Sequence, residues 1–513
     1  MIRAQCLREP QAITATSKKR HLHKLRPLSK RSRRTFDGMT RRLLILFLLF
    51  PPGVLRAQDP LTLEDAIQRG LKNNFDILIQ NNLVEIARNN NNPGQAGRLP
   101  TINLLLSSTN NIVNRVPANP FAVPGTSVSN SLPGQVDIGW IIFNGFAISI
   151  NKDQLGRLQQ QSEGNASIVV QNTLQSVILG YSTVLLEKER LEVRKKLLDL
   201  SRTRYDQVRL RKDVGSAITF DVLQEESNFL TDSGNYVLQS LNFRNAVRNL
   251  NVLLNEPVEK TYTFPQPLRF TPPAFVYADL EEKMTRNNFT LKNQYITQSI
   301  LHGNTQQAKA GLYPSFNLNF GATGSLDWLK ANFRPTIITP TSVPVKSTVG
   351  YLLDDPAQPV ISTNYLPENR LIEGNSYGAY ANFTLRWTLF NGGQIRRSIE
   401  NAKTRELIGQ QSTDQLKLSL RRDLQIAFDL FEQRKQIVEI TRTNQRATEL
   451  NLSLAEERYR VGYINAIDLR LIQLNYQNAT LANLEAIYSL IDVYTDLMSL
   501  TGSIIDQAES FRN

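Results

Sequence analysis

One short motif occurs twice in this chain, as Trp140-Ile141-Ile142-Phe143-Asn144-Gly145 and as Trp387-Thr388-Leu389-Phe390-Asn391-Gly392. Before each copy, apolar and polar residues alternate, which indicates a strand with one apolar and one polar face. After each copy, apolar residues recur every three or four positions for about 60 residues, which indicates a very long helix. The Asn-Gly pair therefore marks a corner between strand and helix, where a left-handed backbone is tolerated. A hairpin turn is the alternative, but no second strand pattern follows either copy.

The motif is part of a duplication that covers most of the chain. Two segments recur 214 residues later: Asn73-Asn74-Phe75 as Asn287-Asn288-Phe289, and Gly97-Arg98-Leu99-Pro100 as Gly311-Leu312-Tyr313-Pro314. The motif itself recurs after 247 residues. Two later sites have the same spacing: Val214-Gly215 recurs as Val461-Gly462, and Asp221 recurs as Asp468. The change in spacing places 33 additional residues in the second strand hairpin. Five matches in one order predict a single architecture built twice.

The net charge of +13 would suggest a nucleic-acid or anionic-lipid partner, but the charge is concentrated at the N-terminus. Residues 1–57 hold fourteen Lys and Arg against two acidic residues, so the remainder carries only +1. Arg41-Arg42, the apolar run Leu43 to Phe50 and the small residue Ala57 have the order of a secretory signal cleaved before Gln58. We therefore interpret residues 1–57 as a leader, with Met39 as an alternative start, and expect no nucleic-acid partner.

The residue inventory excludes several kinds of active site. The only cysteine, Cys6, and two of the three histidines, His21 and His23, lie in the leader. The exported part retains His302 alone, so Cys and His metal clusters, thiol nucleophiles and any catalytic triad without His302 are excluded. We expect no enzyme activity, no cofactor and no metal, with His302 as a surface residue. No lipid-bearing cysteine follows the signal, so a lipoprotein anchor is not expected.

Each half is predicted to contain a short helix, a strand hairpin and two long helices. A capping box at Thr62 and Asp65 starts an amphipathic helix that runs toward Arg88. Leu174, Ile178, Tyr181 and Leu185 follow coiled-coil spacing on one of the long helices. The predicted ranges of the first half (58–274) are a strand hairpin at 99–143 with its loop at 112–134, a coiled-coil hairpin at 146–254 and a Pro-rich crossover linker at 255–274. Those of the second half (275–513) are a strand hairpin at 313–390 with its loop at 324–376, a coiled-coil hairpin at 393–502 and a short tail.

The strands are the predicted route into a membrane. Past the leader, we expect no apolar run that approaches the roughly 18 residues of a spanning helix. Each half contributes two strands of about nine to eleven residues, the length that a tilted strand needs to cross a bilayer. Strands are stable in lipid only in a closed barrel of at least about eight. Four strands cannot close, so the chain must oligomerise, as a dimer with eight strands or a trimer with twelve.

Aromatic residues mark the end of the strands nearest the long helices. Trp140, Phe143, Trp387 and Phe390 lie there, where a barrel carries a girdle of aromatic side chains at the membrane interface. We predict that they are such interface residues. The alternative is that the two tryptophans are buried in a core, since lipid-facing and core-facing aromatics look alike in a sequence.

Taken in order, these residues resemble the TolC family of outer-membrane efflux channels over nearly the whole mature chain. The likeness rests on Leu61-Thr62-Leu63-Glu64-Asp65-Ala66-Ile67 with Asn73-Asn74, on both Phe-Asn-Gly corners, and on Tyr459-Arg460-Val461-Gly462 through Asp468-Leu469 to Leu500-Thr501-Gly502. The resemblance implies an α+β membrane protein: a homotrimer whose duplicated strand hairpins form a 12-stranded β-barrel, continued by a 12-helix periplasmic α-barrel. It also implies a periplasmic membrane-fusion adaptor and, through it, an inner-membrane pump.

The same resemblance assigns roles to the turns between the long helices. It places Val214, Gly215, Val461 and Gly462 at periplasmic tips where the adaptor docks. Asp221 and Tyr459 match gate positions, and Asp468 matches an acidic ring at the pore mouth. Ile464 and Leu471 depart from the pattern, because the best-known member has a gate arginine and a second ring aspartate at these two positions, so gate selectivity is open. The alternative for these residues is a solvated helix end with a capping aspartate.

Two other functions compete with a channel. A trimeric coiled-coil adhesin or structural protein of the outer membrane would share the helices and strands. It would not explain why the polar faces of the strands are rich in Asn, Ser and Thr, a composition that suits a water-filled lumen. A periplasmic enzyme on a helical scaffold would have to depend on His302. The sequence favours a passive, gated conduit for small molecules from periplasm to exterior, and it does not identify the exported substrate or the type of pump.

Overall fold

The computed structural model describes residues 59–116, 123–333 and 344–505, so the predicted leader and the last eight residues of the tail lie outside the described residues. The first half forms α1 (Leu63–Asn73), α2 (Phe75–Asn90), β1 (Thr101–Leu106), β2 (Thr109–Arg115), β3 (Gly125–Asn144), α3 (Ala147–Asp213) and α4 (Thr219–Leu253). The second half forms α5 (Tyr277–Asn287), α6 (Phe289–Ala310), β4 (Ser315–Phe333), β5 (Pro344–Tyr351), β6 (Pro359–Tyr365), β7 (Glu368–Arg386), α7 (Gln394–Arg460) and α8 (Ala466–Leu500).

The two halves match element by element. The long helices α3 and α7 both have 67 residues, and their partners α4 and α8 both have 35. The short helices α1 and α5 both have 11 residues. Among the described residues, the small sheet of β5 and β6 has no counterpart in the first half, and it lies within the 33 additional residues of the second.

The first helix is interrupted, which corrects the prediction of one helix toward Arg88. The capping box is present, with Thr62 Oγ1 accepting from the Asp65 N–H at 3.1 Å and the Asp65 carboxylate accepting from Thr62. Asn74 then has extended backbone (φ −57°, ψ 132°), ends α1 and caps α2 by accepting from the Asp76 N–H at 2.9 Å. Its Nδ2 donates to the Leu253 carbonyl oxygen at 2.9 Å, so the break ties the short helices to the end of α4. Asn288 does the same in the second half, with Leu500 as its acceptor.

The strands form one open antiparallel sheet in which strands from the two halves are neighbours. The order is β1 and β2 beside β3, then β4, then β7. β1 and β2 follow one another along the same edge of β3, with Thr101 opposite Gly139 and Thr109 opposite Ser131. The central pair is β3 with β4, one strand from each half, with Ile138 opposite Phe320. The sheet is therefore four strands wide, as predicted.

Three strands are longer than predicted, β1 and β2 are shorter with six and seven residues, and the predicted loops are shorter as well. β3 has 20 residues, and β4 and β7 have 19 each, so the expectation of nine to eleven residues is wrong. Most of the loop expected at 112–134 belongs to β2 and β3, and the loop expected at 324–376 contains the ends of β4 and β7 together with β5 and β6. Asn, Ser, Thr, Gly and Pro in these segments resemble loop composition, but paired neighbours satisfy their backbone groups.

The Asn-Gly corners have the left-handed backbone that the sequence suggests. Gly145 and Phe146 have φ of 67° and 68°, and Asn144 Oδ1 accepts from the Ile148 N–H at 3.1 Å to cap α3. In the second half, Gly392 and Gly393 take these conformations, and Asn391 caps α7. The motifs differ in one respect: β3 runs into the first motif as far as Asn144, whereas β7 ends before the second.

The main core lies where the four long helices meet the short helices and the linker. It includes Leu174, Tyr181 and Leu185 of the predicted coiled-coil stripe, with Ile178 packed against it. The crossover linker is more than a connection, because its Tyr262, Phe264 and Leu268 are buried in the same core. Burial of one large apolar side chain contributes about 1.5–3 kcal/mol relative to exposure, so the linker stabilises the contact between the halves.

One helix contradicts the expectation that no apolar run approaches 18 residues. Among the described residues, α3 has an 18-residue window with a mean hydropathy of 1.2, which is apolar enough by length and composition to cross a membrane. Of that window, 44% is buried inside the protein. Because buried helices of a large core have the same composition, packing accounts for this window.

Candidate functional site

The two turns between the long helices have the same geometry. After α3, Gly215 has φ of 78°, its N–H donates to the Lys212 carbonyl, and the Ser216 N–H donates to Arg211 at 2.8 Å. After α7, Gly462 has φ of 85° and makes the corresponding bonds. This is the Schellman arrangement, which needs a left-handed residue and therefore favours glycine. A Cβ added to either glycine would meet no atom within 4 Å, so the glycines serve backbone conformation rather than close packing.

The turns and the helix ends beside them line a cavity of about 460 Å³ that is open to solvent. It brings together residues that are far apart in the sequence, including both predicted gate residues and the tip of the second turn. Val214, Gly215 and Asp468 are not among its lining residues. The predicted residues on its wall are Asp221, Tyr459, Val461, Gly462 and Ile464.

The two aspartates of the turns occupy the same helical position but are held differently. The exposed Asp221 accepts a hydrogen bond from the Ile218 N–H at 3.3 Å, so its carboxylate caps α4. In the second turn, Asn465 is the cap, and it accepts from the Asp468 N–H at 2.9 Å. The exposed Asp468 carboxylate is thus not needed to cap α8 and faces solvent. A capping role therefore applies to Asp221 more than to Asp468.

Tyr459 lies at the end of α7, against a small apolar cluster near the turns. The cluster consists of Leu452, Ala455, Leu469 and Tyr476, with Tyr459 and Ile464 packed against it. Tyr459 is half-buried, so its ring is held by apolar contacts while it lines the cavity. Ile464 extends the same apolar surface.

Two buried ion pairs lie next to the tip, and the sequence analysis missed them. Arg470 on α8 contacts Asp232 on α4 at 2.7 Å, and Arg204 on α3 lies 3.8 Å from Glu225 on α4. Burial lowers the pKa of Arg204, and the charge of Glu225 opposes this effect. Within the described residues, the three guanidinium nitrogens of Arg204 make no hydrogen bond. The duplication contains a signal that could have identified three of them, because a charged residue in one half has an apolar counterpart in the other. Arg470, Glu225 and Asp232 correspond to Leu223, Ile472 and Ala479, respectively.

The predicted interface aromatics lie at equivalent places in the two halves. The Trp140 indole donates to the Arg98 carbonyl at 3.1 Å, and the Trp387 indole donates to the Leu312 carbonyl at 3.3 Å. Their exposed fractions are 40% and 61%, which argues against a core role within one chain. Phe143 packs edge-on against Phe146, whereas Phe390 is exposed.

His302 takes part in a polar contact between α6 and α7. Its Nδ1 lies 2.8 Å from Glu406 Oε1, and Glu406 also accepts from Thr305. The two hydrogen bonds hold the pKa of Glu406 below its ordinary range. Within the described ranges, no three His, Cys, Asp or Glu side chains are grouped as metal ligands.

Comparison with solved structures identifies channels of the same fold. The outer-membrane channel CmeC of Campylobacter jejuni has a TM-score of 0.63 at 15% identity, with 88% of this chain and 89% of that chain covered. The open state of the MtrE outer-membrane channel of Neisseria gonorrhoeae has a TM-score of 0.61 at 16% identity, with coverage of 87% and 90%. The outer-membrane protein VceC of Vibrio cholerae has a TM-score of 0.59 at 12% identity, with coverage of 86% and 96%. No curated protein sequence gives a significant match.

The sequence profile described as outer membrane efflux protein matches residues 66–256 and 282–503. These segments cover both halves of the duplication and omit part of the crossover linker. The resemblance read from the Phe-Asn-Gly corners and the tip motifs is confirmed. This chain belongs to the outer membrane efflux protein family and is an outer-membrane channel of a tripartite efflux system.

Proposed function

We propose that three copies of this chain close into one channel, with a 12-stranded β-barrel in the outer membrane and a 12-helix α-barrel in the periplasm. The open sheet carries the proposal. Within the described ranges, β7 pairs only with β4, and β1 and β2 pair only with β3, so both edges leave backbone groups unpaired. Lipid cannot satisfy such groups. Pairing of β7 with β1 and β2 of the next copy would remove both edges, and membership of the family supports three copies rather than two.

The lengths of the elements suit a conduit that extends beyond a membrane. A 20-residue strand spans about 66 Å at ~3.3 Å per residue, against a barrel's apolar band of about 25 Å. A 67-residue helix spans about 100 Å at ~1.5 Å per residue. The exposed aromatics Trp140 and Trp387, with Phe143 and Phe390, lie at the junction of the two parts. We assign them to the membrane interface on the periplasmic side.

We assign the gate to the cavity between the turns. Asp221 and Tyr459 line it together, and rotation of either helical hairpin would change its width. Three Asp468 carboxylates around the pore axis would favour cations. Ile464 and Leu471 stand where the best-known member of the family has charged residues, so we expect a looser and less cation-selective gate.

The tips are the proposed docking site of a periplasmic membrane-fusion adaptor. Val214 and Val461, beside Gly215 and Gly462, are exposed apolar residues at the ends of the two helical hairpins. Such residues gain free energy when a partner covers them. Through the adaptor the channel would meet an inner-membrane pump, which supplies the energy, so the channel itself is a passive path for small molecules from periplasm to exterior.

The direct test is the mass and conductance of the purified full chain. In detergent, we expect a particle with the protein mass of three chains, and in planar lipid bilayers we expect discrete single-channel currents. A trimer that never conducts in a bilayer would favour the adhesin-type alternative. A monomer that needs no detergent would end the proposal.

A further inference from the structure

Each half of the chain places one arginine at the junction between its strands and its long helix. In the first half, Arg98 precedes β1, and its Nη2 donates to the hydroxyl of Ser149 in the first turn of α3 at 3.4 Å. In the second half, the counterpart of Arg98 is Leu312, and the counterpart of Ser149 is Arg396 in the first turn of α7. The guanidinium group therefore comes from the loop in one half and from the helix in the other, but both halves supply it at this junction.

The two tryptophans relate this junction to the membrane. The Trp140 indole N–H donates to the backbone carbonyl of Arg98 at 3.1 Å, and the Trp387 indole N–H donates to that of Leu312 at 3.3 Å. The matching hydrogen bonds show that the equivalence of the halves holds at positions 98 and 312. Because both tryptophans are assigned to the membrane interface on the periplasmic side, this geometry puts each arginine level with the headgroups of the periplasmic leaflet.

The charges of the two arginines are not neutralised inside the chain. Both side chains are exposed, and among the ion pairs of the described residues none includes Arg98 or Arg396. The first turns of α3 and α7 contain no acidic residue. The next acidic residues along these helices are Asp153 and Glu400, and Glu400 is already paired with Lys403 at 3.0 Å. The junction is therefore a place for an anion from outside the chain.

Arg396 lies on the outer face of its helix. Arg421 follows it by 25 residues, which is close to seven helical turns, so the two side chains share one face of α7. Arg421 pairs with Glu281 on the short helix α5 at 2.9 Å, so α5 packs on that face. Short helices on the inner face would block a tunnel, so in the proposed channel this face is the outer one. The arginine thus faces the membrane surface and not the pore.

The surroundings of Arg98 suit a molecule that is both anionic and apolar. A cavity of about 410 Å³ lies at this corner, and the side chains of Arg98 and Ser149 are among its polar groups. Most of its other lining residues are apolar, including Trp140, Ile142 and Phe146, which are exposed in the chain. The second half has exposed apolar residues at its own corner: Leu312, Tyr313, Leu389 and Phe390. A guanidinium group donates well to phosphate oxygens, and the apolar residues suit acyl chains.

We propose that each copy binds two phospholipids of the periplasmic leaflet, one at Arg98 and one at Arg396. The lipid phosphate accepts hydrogen bonds from the guanidinium group, and the acyl chains lie against the apolar side chains beside each tryptophan. Headgroups with a net negative charge are preferred, since no carboxylate offsets the arginine. Three copies then carry six sites around the base of the barrel. The inference rests on the proposed channel and adds the lipid that it binds.

Lipid counting on purified full-length trimers tests the two sites. Native mass spectrometry reports how many molecules of dioleoyl-phosphatidylglycerol stay bound after the protein in detergent has been incubated with this lipid. We expect up to six per trimer, about half as many for Arg98→Gln or Arg396→Gln alone, and nearly none for the double variant. The control is Arg202→Gln with Arg422→Gln, two exposed arginines of α3 and α7 that lie far from the strands. This control should retain the full number.

The duplication offers a swap that tests the equivalence of the two arrangements. Arg396→Ser with Leu312→Arg gives the second half the loop arginine and the helix serine of the first half. Arg396→Ser alone should lose half of the bound lipid, and the added Leu312→Arg should restore it. A swap that restores none of the lipid would overturn the equivalence on which the second site rests.

Two competitors identify the ligand. Glycerol 3-phosphate has the phosphate without acyl chains, and it should not displace phosphatidylglycerol at matching concentration. Displacement would show a site for small phosphate anions and would overturn the lipid assignment. Lipopolysaccharide belongs to the outer leaflet, and its preferential binding at these arginines would overturn the proposed leaflet.

Mass and conductance of the same preparations separate the lipid sites from the channel. Trimers that conduct in planar bilayers, and whose lipid count is the same with Arg98→Gln and Arg396→Gln together as without them, would overturn the lipid sites and leave the channel standing. A preparation that is monomeric would end both proposals.

Discussion

Arg470 on α8 donates two hydrogen bonds to Asp232 on α4, at 2.7 and 2.8 Å, with only 13% and 3% of the two side chains exposed. The pair joins the helical hairpin of the second half to that of the first. It belongs to one cluster with the neighbouring pair, since the charges of Glu225, Arg470 and Asp232 all act on Arg204. A buried cluster of four charges on α3, α4 and α8 therefore lies beside the tip.

Removal of one member of the Arg470 pair should destabilise the chain strongly. Arg470→Met leaves the Asp232 carboxylate buried and unpaired, which costs about 3–5 kcal/mol. The double variant Arg470→Met with Asp232→Leu should recover most of the loss. Arg422→Met removes an exposed pair and should cost less than about 1 kcal/mol. Thermal unfolding followed by circular dichroism at 222 nm measures all three, and equal losses for Arg470→Met and Arg422→Met would contradict the expectation.

The two corner glycines should differ in their tolerance of alanine. Gly392→Ala meets no atom within 4 Å and should cost only the strain of a positive φ, about 1–2 kcal/mol. Gly145→Ala adds a Cβ that overlaps the Ala310 carbonyl oxygen and lies 2.8 Å from Tyr313 Cβ, so overpacking adds about 1–3 kcal/mol. Thermal midpoints of the two variants, compared side by side, check the order. The reverse order would show that the close approach of Ala310 and Tyr313 does not constrain position 145.

The gate residues should control conductance. Asp221→Ala removes the carboxylate that caps α4, and Tyr459→Phe removes a hydroxyl from the lining of the same cavity; each should raise single-channel conductance in planar bilayers. Asp468→Asn should leave conductance nearer that of the unchanged protein but reduce the preference for cations over anions, measured as a shift in reversal potential across a salt gradient. Unchanged conductance in both Asp221→Ala and Tyr459→Phe would remove these residues from the gate.

A bulky residue at the second tip should block docking without disturbing assembly. Gly462→Trp places a large side chain on an open surface, where it would stand in the path of an adaptor. Its backbone strain, from φ of 85°, is confined to the turn. We expect loss of export from cells with intact trimers in detergent. Gly462→Ala is the matched control, since it carries the strain without the bulk. Normal export with Gly462→Trp would count against docking at this turn.

Two carboxyl groups on α8 should make stability fall as pH rises. Desolvation by the surrounding helices raises the pKa of Asp496, although its side chain reaches the surface; the neighbouring Asp492 raises this pKa further, and the hydrogen bond from Gln175 opposes the rise. Burial also raises the pKa of Asp492, against the opposing charge of Arg434. The folded chain therefore holds these protons more tightly than the unfolded chain. Their stabilising effect is full below the ordinary aspartate pKa of about 3.9 and is lost as pH rises through the raised values.

Asp496→Asn should remove part of this dependence. Its thermal midpoint relative to the unchanged protein should increase between pH 4 and neutral pH, by roughly the loss that the carboxylate causes. Asp414→Asn, at an exposed carboxyl on α7, should show no such trend. Parallel curves for Asp496→Asn and the unchanged protein would mean that Asp496 does not contribute.

The sequence alone determined the elements that depend on local signals. The alternation before Trp140, the helical period after Gly145, the capping box at Thr62 and the glycine at each tip reflect the backbone and side-chain geometry of a few neighbouring residues. The duplication added the equivalence of the halves, because it needs only a comparison of the chain with itself. The ends of the strands were harder to predict from the sequence, since Ser, Thr, Asn and Gly form loops or paired strands according to their neighbours in space.

Only the tertiary structure decided which elements meet. The pairing of β3 with β4, the burial of the linker residues Tyr262 and Phe264, and the contact of Arg470 with Asp232 join residues that lie far apart in the chain. Such contacts depend on the packing of whole helices and on the path of the linker, and no local period encodes them. For the same reason, Asp221 and Tyr459 matched family positions in the sequence, but only the packing of the two helical hairpins brought them into the lining of one cavity.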